Sequence, residues 1–298
     1  MGVSGYGAQS MVAPLRRVAM RRPDESFAAD PRVWHYTDRP DAAAAAVEHD
    51  ALAAMLEEDG VEIVWHMDPL PDHADAIFVH DPVLVTDRGT ILLRMGKPLR
   101  RGEEAPLAAT LEAAGVPIAG VIEPPGIVEG GDLLWLDHDT LAAGHGFRTN
   151  GSGLDQLRSL LPGVEVIPVP LPWHLGPEAC LHLMSVISLV DDDLAVAHRP
   201  LLPVPFVELL AARGCELIDV PAAELETQAP NVLATAPRRC IMLRGNPQTE
   251  KALIEAGCDV RTYVGDEITL KAEGGATCLT RPILRLTSGS LTRAGGRR

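Results

Sequence analysis

Glu273-Gly274-Gly275-Ala276-Thr277-Cys278-Leu279-Thr280-Arg281-Pro282 sets one cysteine just past a paired-glycine turn, at the mouth of an apolar strand near the C-terminus. Four earlier segments share that layout: a polar or glycine-containing lead-in, a strand, a tight turn and a second strand. Their lead-ins carry Asp75, Glu129, His182 and Asn231. A thiol, an imidazole and acids at equivalent points of a repeated unit point to one shared site.

Working outward, each hairpin is followed by a helix and a further strand. After Val83-Leu84-Val85 comes a turn at Asp87-Arg88-Gly89, then Ile91–Arg94. Similar hairpins are expected over Gly131–Gly144, His182–His198 and Asn231–Arg244, with the last unit at Gly274–Thr280 and Ile283–Leu286. Helices are expected over Asp41–Asp59, Glu103–Ala114, Leu154–Leu161, Pro205–Arg213 and Gln248–Glu255, most of them ended by glycine. A period of roughly 45–55 residues, each unit unable to bury its apolar face alone, predicts a closed radial array or a solenoid. An open α/β sheet also alternates strands and helices. Doubly wound sheets rarely place a hairpin before every helix, so the closed array is the better reading. Gly126–Gly131 lacks the spacing of a phosphate-binding glycine loop.

The chain has 298 residues, 46% hydrophobic and 22% charged, with a formal net charge of −15. That charge argues against nucleic acid or an anionic membrane as partner and is compatible with a small cationic substrate. Five cysteines, Cys180, Cys215, Cys240, Cys258 and Cys278, are widely spaced without a CxxC pair. This reads as a reduced, cytoplasmic protein rather than a disulfide framework or zinc knuckle. No apolar run approaches the ~18 residues of a membrane span, and the N-terminus lacks the apolar core of a signal peptide. Residues 1–11 and 288–298 are expected as disordered tails flanking one domain over 12–287.

Cys278 is the candidate nucleophile, since a thiolate in a suitable niche attacks electrophilic carbon. A lone cysteine is, however, more often a small buried hydrophobe. His182, at the start of an apolar strand, could equally be a satisfied core residue. Glu129-Gly130-Gly131-Asp132 could be an ordinary turn, and Asp75 and Asp81 could be caps at either end of an expected strand Ala76–His80. Arg100 and Arg148 carry guanidinium forks suited to a carboxylate, although most arginines are simply solvated. Recurrence at equivalent positions strengthens the joint reading.

These motifs, in order, resemble the guanidine-modifying enzymes: dimethylarginine dimethylaminohydrolase, arginine deiminase and the amidinotransferases. The resemblance runs from about Val12 to Leu286 and rests on Asp75-Ala76-Ile77-Phe78-Val79-His80-Asp81, Arg94–Glu103, Glu129-Gly130-Gly131-Asp132, Gly146-Phe147-Arg148-Thr149-Asn150, His182-Leu183-Met184-Ser185 and Gly275-Ala276-Thr277-Cys278. It implies a five-bladed α/β propeller (pentein) and no cofactor or metal. It further implies that Cys278 attacks the guanidinium carbon to form a covalent thiouronium, with His182 as general acid and base. Glu129 would hold His182 or the guanidinium nitrogens, and Asp75 and Asp81 would bind the cationic end. Arg100 and Arg148 would take the substrate α-carboxylate, and Ser185 would assist. The carbonyls near Ala272 and Glu273 would take the α-amino group, and the loop around Met20–Pro23 would close over the site.

Two positions depart from the family pattern. His80 stands where the dimethylarginine branch usually has an acid. Met184 replaces an aspartate usual in deiminases and amidinotransferases, which favours the methylarginine-hydrolysing branch. The expected activity is hydrolysis of Nω-methylated arginine to citrulline and a methylamine by a monomer or homodimer. Alternatives are an arginine deiminase or amidinotransferase on another guanidine, or a non-catalytic binding propeller like the ribosome anti-association factor of similar fold. A metal hydrolase built on His66, His73 and His80 fits poorly, because their spacing suits neither one strand face nor a metal-binding helix.

Overall fold

A computed structural model describes residues 5–179 and 181–286. Among them are five three-stranded sheets. Strands β1 (Leu15–Met20) and β2 (Glu62–Trp65) bracket the one-turn helix α1 (Pro31–Trp34) and the long helix α2 (Ala42–Glu58). The second blade holds β3 (Val83–Thr86), β4 (Gly89–Leu92), α3 (Glu104–Ala113) and β5 (Ile118–Val121). The third holds β6 (Leu133–Asp137), β7 (Thr140–His145), α4 (Gly151–Leu160) and β8 (Glu165–Pro170). The fourth holds β9 (Ile187–Asp191), β10 (Leu194–Ala197), α5 (Val204–Ala212) and β11 (Glu216–Asp219). The fifth holds β12 (Leu233–Ala236), β13 (Arg239–Leu243), α6 (Pro247–Glu255) and β14 (Asp259–Tyr263), and β15 (Arg281–Arg285) follows.

In blades two to five the first two strands pair antiparallel and the third joins parallel to the middle one after the helix. The first blade is assembled from both ends of the chain: β15 pairs antiparallel with β1, and β1 pairs parallel with β2. The last hairpin expected from sequence is thereby corrected. Gly274–Thr280 is a turn segment rather than a strand, and the partner of β15 lies at residues 15–20.

The apolar residues gather in five clusters that bridge neighbouring blades. Val83 and Val85 meet Ala19 and Ile283; Leu84 and Ile91 meet Leu133 and Leu141; Leu134 and Ala142 meet Ile187 and Leu189; Val190 and Val196 meet Cys240 and Met242. The fifth joins Leu15 and Val18 to Leu233, Ile241 and Leu243. Fifth blade against first closes the ring, so no sheet face is left for a sixth unit. The closed array expected from the repeat, in the form of the five-bladed α/β propeller that the resemblance implies, is the fold of this chain.

Local chemistry explains the helices. The Asp41 carboxylate accepts from the backbone N–H groups of Ala43 and Ala44, satisfying donors that the first turn cannot. An alanine run then propagates α2, and Gly60 at φ 75° follows its end. Asn150 caps α4 by accepting from Gly153.

Two further expectations are corrected. The segments around Asp75, Glu129 and His182 begin not with strands but with single 3-10 turns, Ala74–Ile77, Gly130–Asp132 and Leu183–Ser185. Residues 5–11, assigned to a disordered tail, are tied into the first blade and its neighbours. Gly7 N–H donates to the Ile283 carbonyl at 2.8 Å, Arg285 N–H donates to the Gly7 carbonyl at 2.9 Å, and Ala8 is buried. Residues 1–4, residues 287–298 and Cys180 lie outside the described residues. Among the described residues no helix is long and apolar enough to cross a membrane.

Candidate active site

The 3-10 lead-ins converge with the segment Ala272–Cys278 on one pocket. Its walls include Asp75, Asp81, Arg100, Arg148, His182, Ser185, Ala272, Glu273 and Cys278. These residues come from every part of the ring and nine of the eleven site candidates lie there. Glu129 stands directly behind the wall with no solvent exposure, and Met20 lies elsewhere.

His182 is held from several directions. Its Nε2 lies 2.6 Å from Glu129 Oε2. The His182 backbone N–H donates to Ser185 Oγ, and the His182 side chain accepts from the Ser185 backbone, a reciprocal cap across one turn. The neighbouring Leu183 N–H donates to Asp132 Oδ1 at 3.0 Å. Gly131 lies against the ring so closely that a Cβ there would sit 2.5 Å from His182 Nδ1. Only glycine leaves the imidazole where it is.

Asn231 orients Cys278. Asn231 Oδ1 accepts from the Thr277 N–H at 3.1 Å, which turns its amide Nδ2–H group toward Cys278 Sγ at 3.2 Å. A donor aimed at the sulfur favours thiolate over thiol. Gly275 is required here too, since a Cβ would meet Asn231 Cγ at 2.4 Å.

The buried charges pair in a defined way. Asp81 Oδ1 accepts from the Gly131 N–H at 2.8 Å, and Asp81 Oδ2 accepts from Arg100 at 2.5 Å. Burial pushes the Asp81 carboxyl up, but the charges of His182 and Arg100 outweigh it, so the group is held well below the usual carboxylate range. Burial also opposes ionisation of Glu129. The hydrogen bond from His182 and the charge of Arg148 overcome it, bringing Glu129 down to about 2. Both carboxylates are therefore anionic at neutral pH. Arg100 serves two carboxylates at once, Asp81 and Glu103. Burial dominates at Glu103, whose carboxyl is pushed up to about 7.

Several expected placements change. Met20 ends β1 with no exposure and packs in the apolar cluster between the first and fifth blades, so its side chain cannot contact a ligand. The segment that borders the pocket on that side is Trp34-His35-Tyr36. Arg100 lines the pocket but spends its fork on Asp81, Glu103 and the Phe78 carbonyl. It orders carboxylates rather than offering itself to one. His80, whose place was open, is buried with Nδ1 at 2.8 Å from the Thr280 carbonyl. Burial and the charge of Arg281 lower it to about 3, so it is neutral. His66 and His73 bond separately to Thr110 and to the Arg101 carbonyl, so the three histidines form no metal cluster. Asp81, Glu129 and His182 do bring ligand-type atoms within 4.8 Å of one another. Arg100 pairs with Asp81, and Arg148 with Glu129.

Sequence reading gave no role to Lys97, Tyr36 or Asn231. Tyr36 Oη donates to Asp75 Oδ1 at 2.7 Å and Lys97 Nζ to Asp75 Oδ2 at 2.6 Å. A Lys directly after a glycine carries no local signal. Asn231 had one: it occupies the lead-in position held by Glu129 and His182 in the preceding blades.

The scaffold is that of the guanidine-modifying enzymes. The dimethylarginine dimethylaminohydrolase of Pseudomonas aeruginosa, solved as a cysteine-to-serine mutant complexed with citrulline, superposes with a TM-score of 0.74 at 27% identity, covering 90% of this chain and 99% of that one. The N-terminal domain of ArgZ, an arginine dihydrolase, superposes with a TM-score of 0.77 at 24% identity, over 91% of this chain and 98% of that one, a likeness of fold. Residues 32–285 match the family described as N,N dimethylarginine dimethylhydrolase, eukaryotic. The N(G),N(G)-dimethylarginine dimethylaminohydrolase of Streptomyces coelicolor is 30% identical over 270 residues, 90% of this chain and 96% of that protein. The chain belongs to the dimethylarginine dimethylaminohydrolase family.

Proposed function

We propose that this protein hydrolyses Nω-methylated arginine, dimethylarginine foremost, to citrulline and the methylamine. The observation that carries this reading is one pocket walled by Cys278, His182 and Asp81, with buried Glu129 gripping the imidazole at 2.6 Å. A buried guanidinium needs anionic partners to offset its desolvation. Asp81 and Glu129, both held ionised, supply that field.

The Cys278 thiolate attacks the guanidinium carbon, and Asn231 holds the sulfur in place. The bond from that carbon to the alkylated nitrogen breaks, and the departing amine takes a proton from His182. A covalent S-alkylthiouronium remains. His182 then removes a proton from water, which adds to the same carbon and expels the thiolate as citrulline forms. Glu129 holds the imidazole and stabilises its charged form before the first proton transfer and after the second. Asp81 binds guanidinium nitrogens, and Arg100 positions Asp81. Arg148 and the carbonyls near Ala272 and Glu273 face the amino-acid end. Ser185 fixes the turn from which His182 projects.

The chemistry calls on side chains alone, without cofactor or metal. The reduced thiols Cys215, Cys240, Cys258 and Cys278 suit a cytoplasmic enzyme, working as a monomer or homodimer on a small guanidine amino acid. Purified protein is expected to release citrulline from dimethylarginine and little from arginine. Cys278→Ser is expected to abolish turnover while the circular dichroism spectrum stays unchanged. No citrulline from any methylated arginine would defeat the reading, and equal turnover of arginine would make the enzyme a deiminase.

A further inference from the structure

We propose that Lys97 is the specificity-determining residue that binds the substrate's carboxylate and so selects α-amino-acid guanidines over decarboxylated ones. This deepens the proposed function and rests on it for the identity of the reacting group.

With Arg100 committed to Asp81 and Glu103, and Arg148 in the wall but also paired with Glu129, a carboxylate entering the pocket has a place for a further cation. Lys97 is in the pocket wall. Its ammonium donates to Asp75 Oδ2 at 2.6 Å and to the Trp34 carbonyl at 2.9 Å. An ammonium has three N–H donors, so these two contacts leave one direction for a ligand. Nζ also stands 5.0 Å from the centroid of the Trp34 ring, which holds the cation without consuming a donor. The Lys97 backbone N–H donates to Glu129 Oε1 at 2.9 Å. The carboxylate that grips His182 therefore also fixes where Lys97 begins, and the distance from reacting centre to ammonium is set by one residue.

The charge arrangement suits a zwitterion. Glu273 shares the pocket wall and sits within the field of Lys97, which opposes the upward push that burial gives its carboxyl. An α-amino-acid head carries one cation and one anion on adjacent groups. Lys97 and the Glu273 segment present the opposite pair. A decarboxylated guanidine offers nothing to Lys97, which then stays paired with Asp75.

The test measures head-group recognition apart from guanidine chemistry. Binding of L-citrulline and of N-carbamoylputrescine, the same ureido chain without the carboxylate, is measured by calorimetry on Cys278→Ser protein, with and without Lys97→Met. A hydrogen bond between charged groups corresponds to about a ten- to hundredfold loss of citrulline affinity. N-carbamoylputrescine is expected to change by less than about threefold, within the scatter of contacts that do not couple. Lys97→Arg, which keeps the charge, is expected to restore much of the citrulline affinity. Equal loss for both ligands would reduce Lys97 to a structural tie. Tighter citrulline binding in Lys97→Met would make it a competitor seated on Asp75. Failure of L-citrulline to bind Cys278→Ser would equally overturn the proposal. Absence of methylarginine turnover in the wild type defeats the reaction reading alone, because the citrulline comparison still reports on Lys97.

Discussion

The two ends of the propeller contrast sharply. At the hairpin end, a depression of about 580 Å3 lies among Gln9, Ser10, Asp137, His138, Asp192 and Arg213. At the lead-in end, the pocket holding Cys278 and His182 has only about 50 Å3. The large depression has acids and a base, but they are half-exposed: Arg213 pairs with Asp137 at 33% and 45% side-chain exposure. In the small pocket, Arg100 and Asp81 are each 4% exposed, and Glu129 is 0% exposed. Volume marks where the ring is wide. Buried, opposed and mutually bonded charges mark where free energy has been spent on holding chemistry in place.

If that contrast is right, changes at the two ends should differ by orders of magnitude. The largest effect is expected from Glu129→Gln. It keeps the shape but removes the charge on His182 and Arg148. Turnover of dimethylarginine should fall about 100-fold or more, in the range of general acid–base contributions. Full activity in that variant would break the comparison outright. Gly131→Ala should follow. Its methyl group would force the His182 ring aside, and misplacement on the order of 1 Å costs about 100-fold. The loss should fall on kcat more than on the melting temperature.

Acid should next separate two buried carboxyls at the lead-in end. The folded-state carboxyl of Glu129 lies at about 2, below its ordinary 4.5. Its contribution to stability is present above pH 4.5 and is lost as pH falls toward 2. Glu103 has the opposite sign: raised from 4.5 to about 7, it favours the folded state below 4.5 and loses that contribution as pH rises through 7. Urea midpoints measured from pH 2 to 8 should show both limbs. Glu129→Gln should flatten the acid limb, and Glu103→Gln the neutral one. The smallest effect belongs to Arg213→Ala at the hairpin end, expected to cost about 0–1 kcal/mol as exposed pairs do, with turnover unchanged. A large loss of activity there would mean that the wide depression matters to catalysis.

Much of the ring was legible in the chain because its signals are local. Asp41 before an alanine run, Gly60 after it, and Asp87-Arg88-Gly89 between apolar strands each declare a boundary within a few residues. The pairing of β15 with β1 was not legible, because the partners lie at opposite ends of the chain and neither announces the other. The same limit explains the site. Cys278, His182 and Glu129 stand in motifs, and sequence placed them. The commitment of Arg100 to Glu103 and Asp81, the burial of Met20 and the seat of Lys97 on Asp75 depend on which side chains meet across the ring. Residues 5–11 looked like a tail because small and polar residues carry no periodicity, yet main-chain bonds at Gly7 hold them in the first blade.

The bond between β15 and β1 has a consequence in time. Cys278 lies just ahead of β15, whereas β1, the strand that receives β15, is made before every other strand of the ring. A nascent polypeptide therefore carries its imidazole and acids long before it gains its sulfur. The ring and the proposed nucleophile are completed together, so a half-made chain would lack the group proposed to attack the substrate.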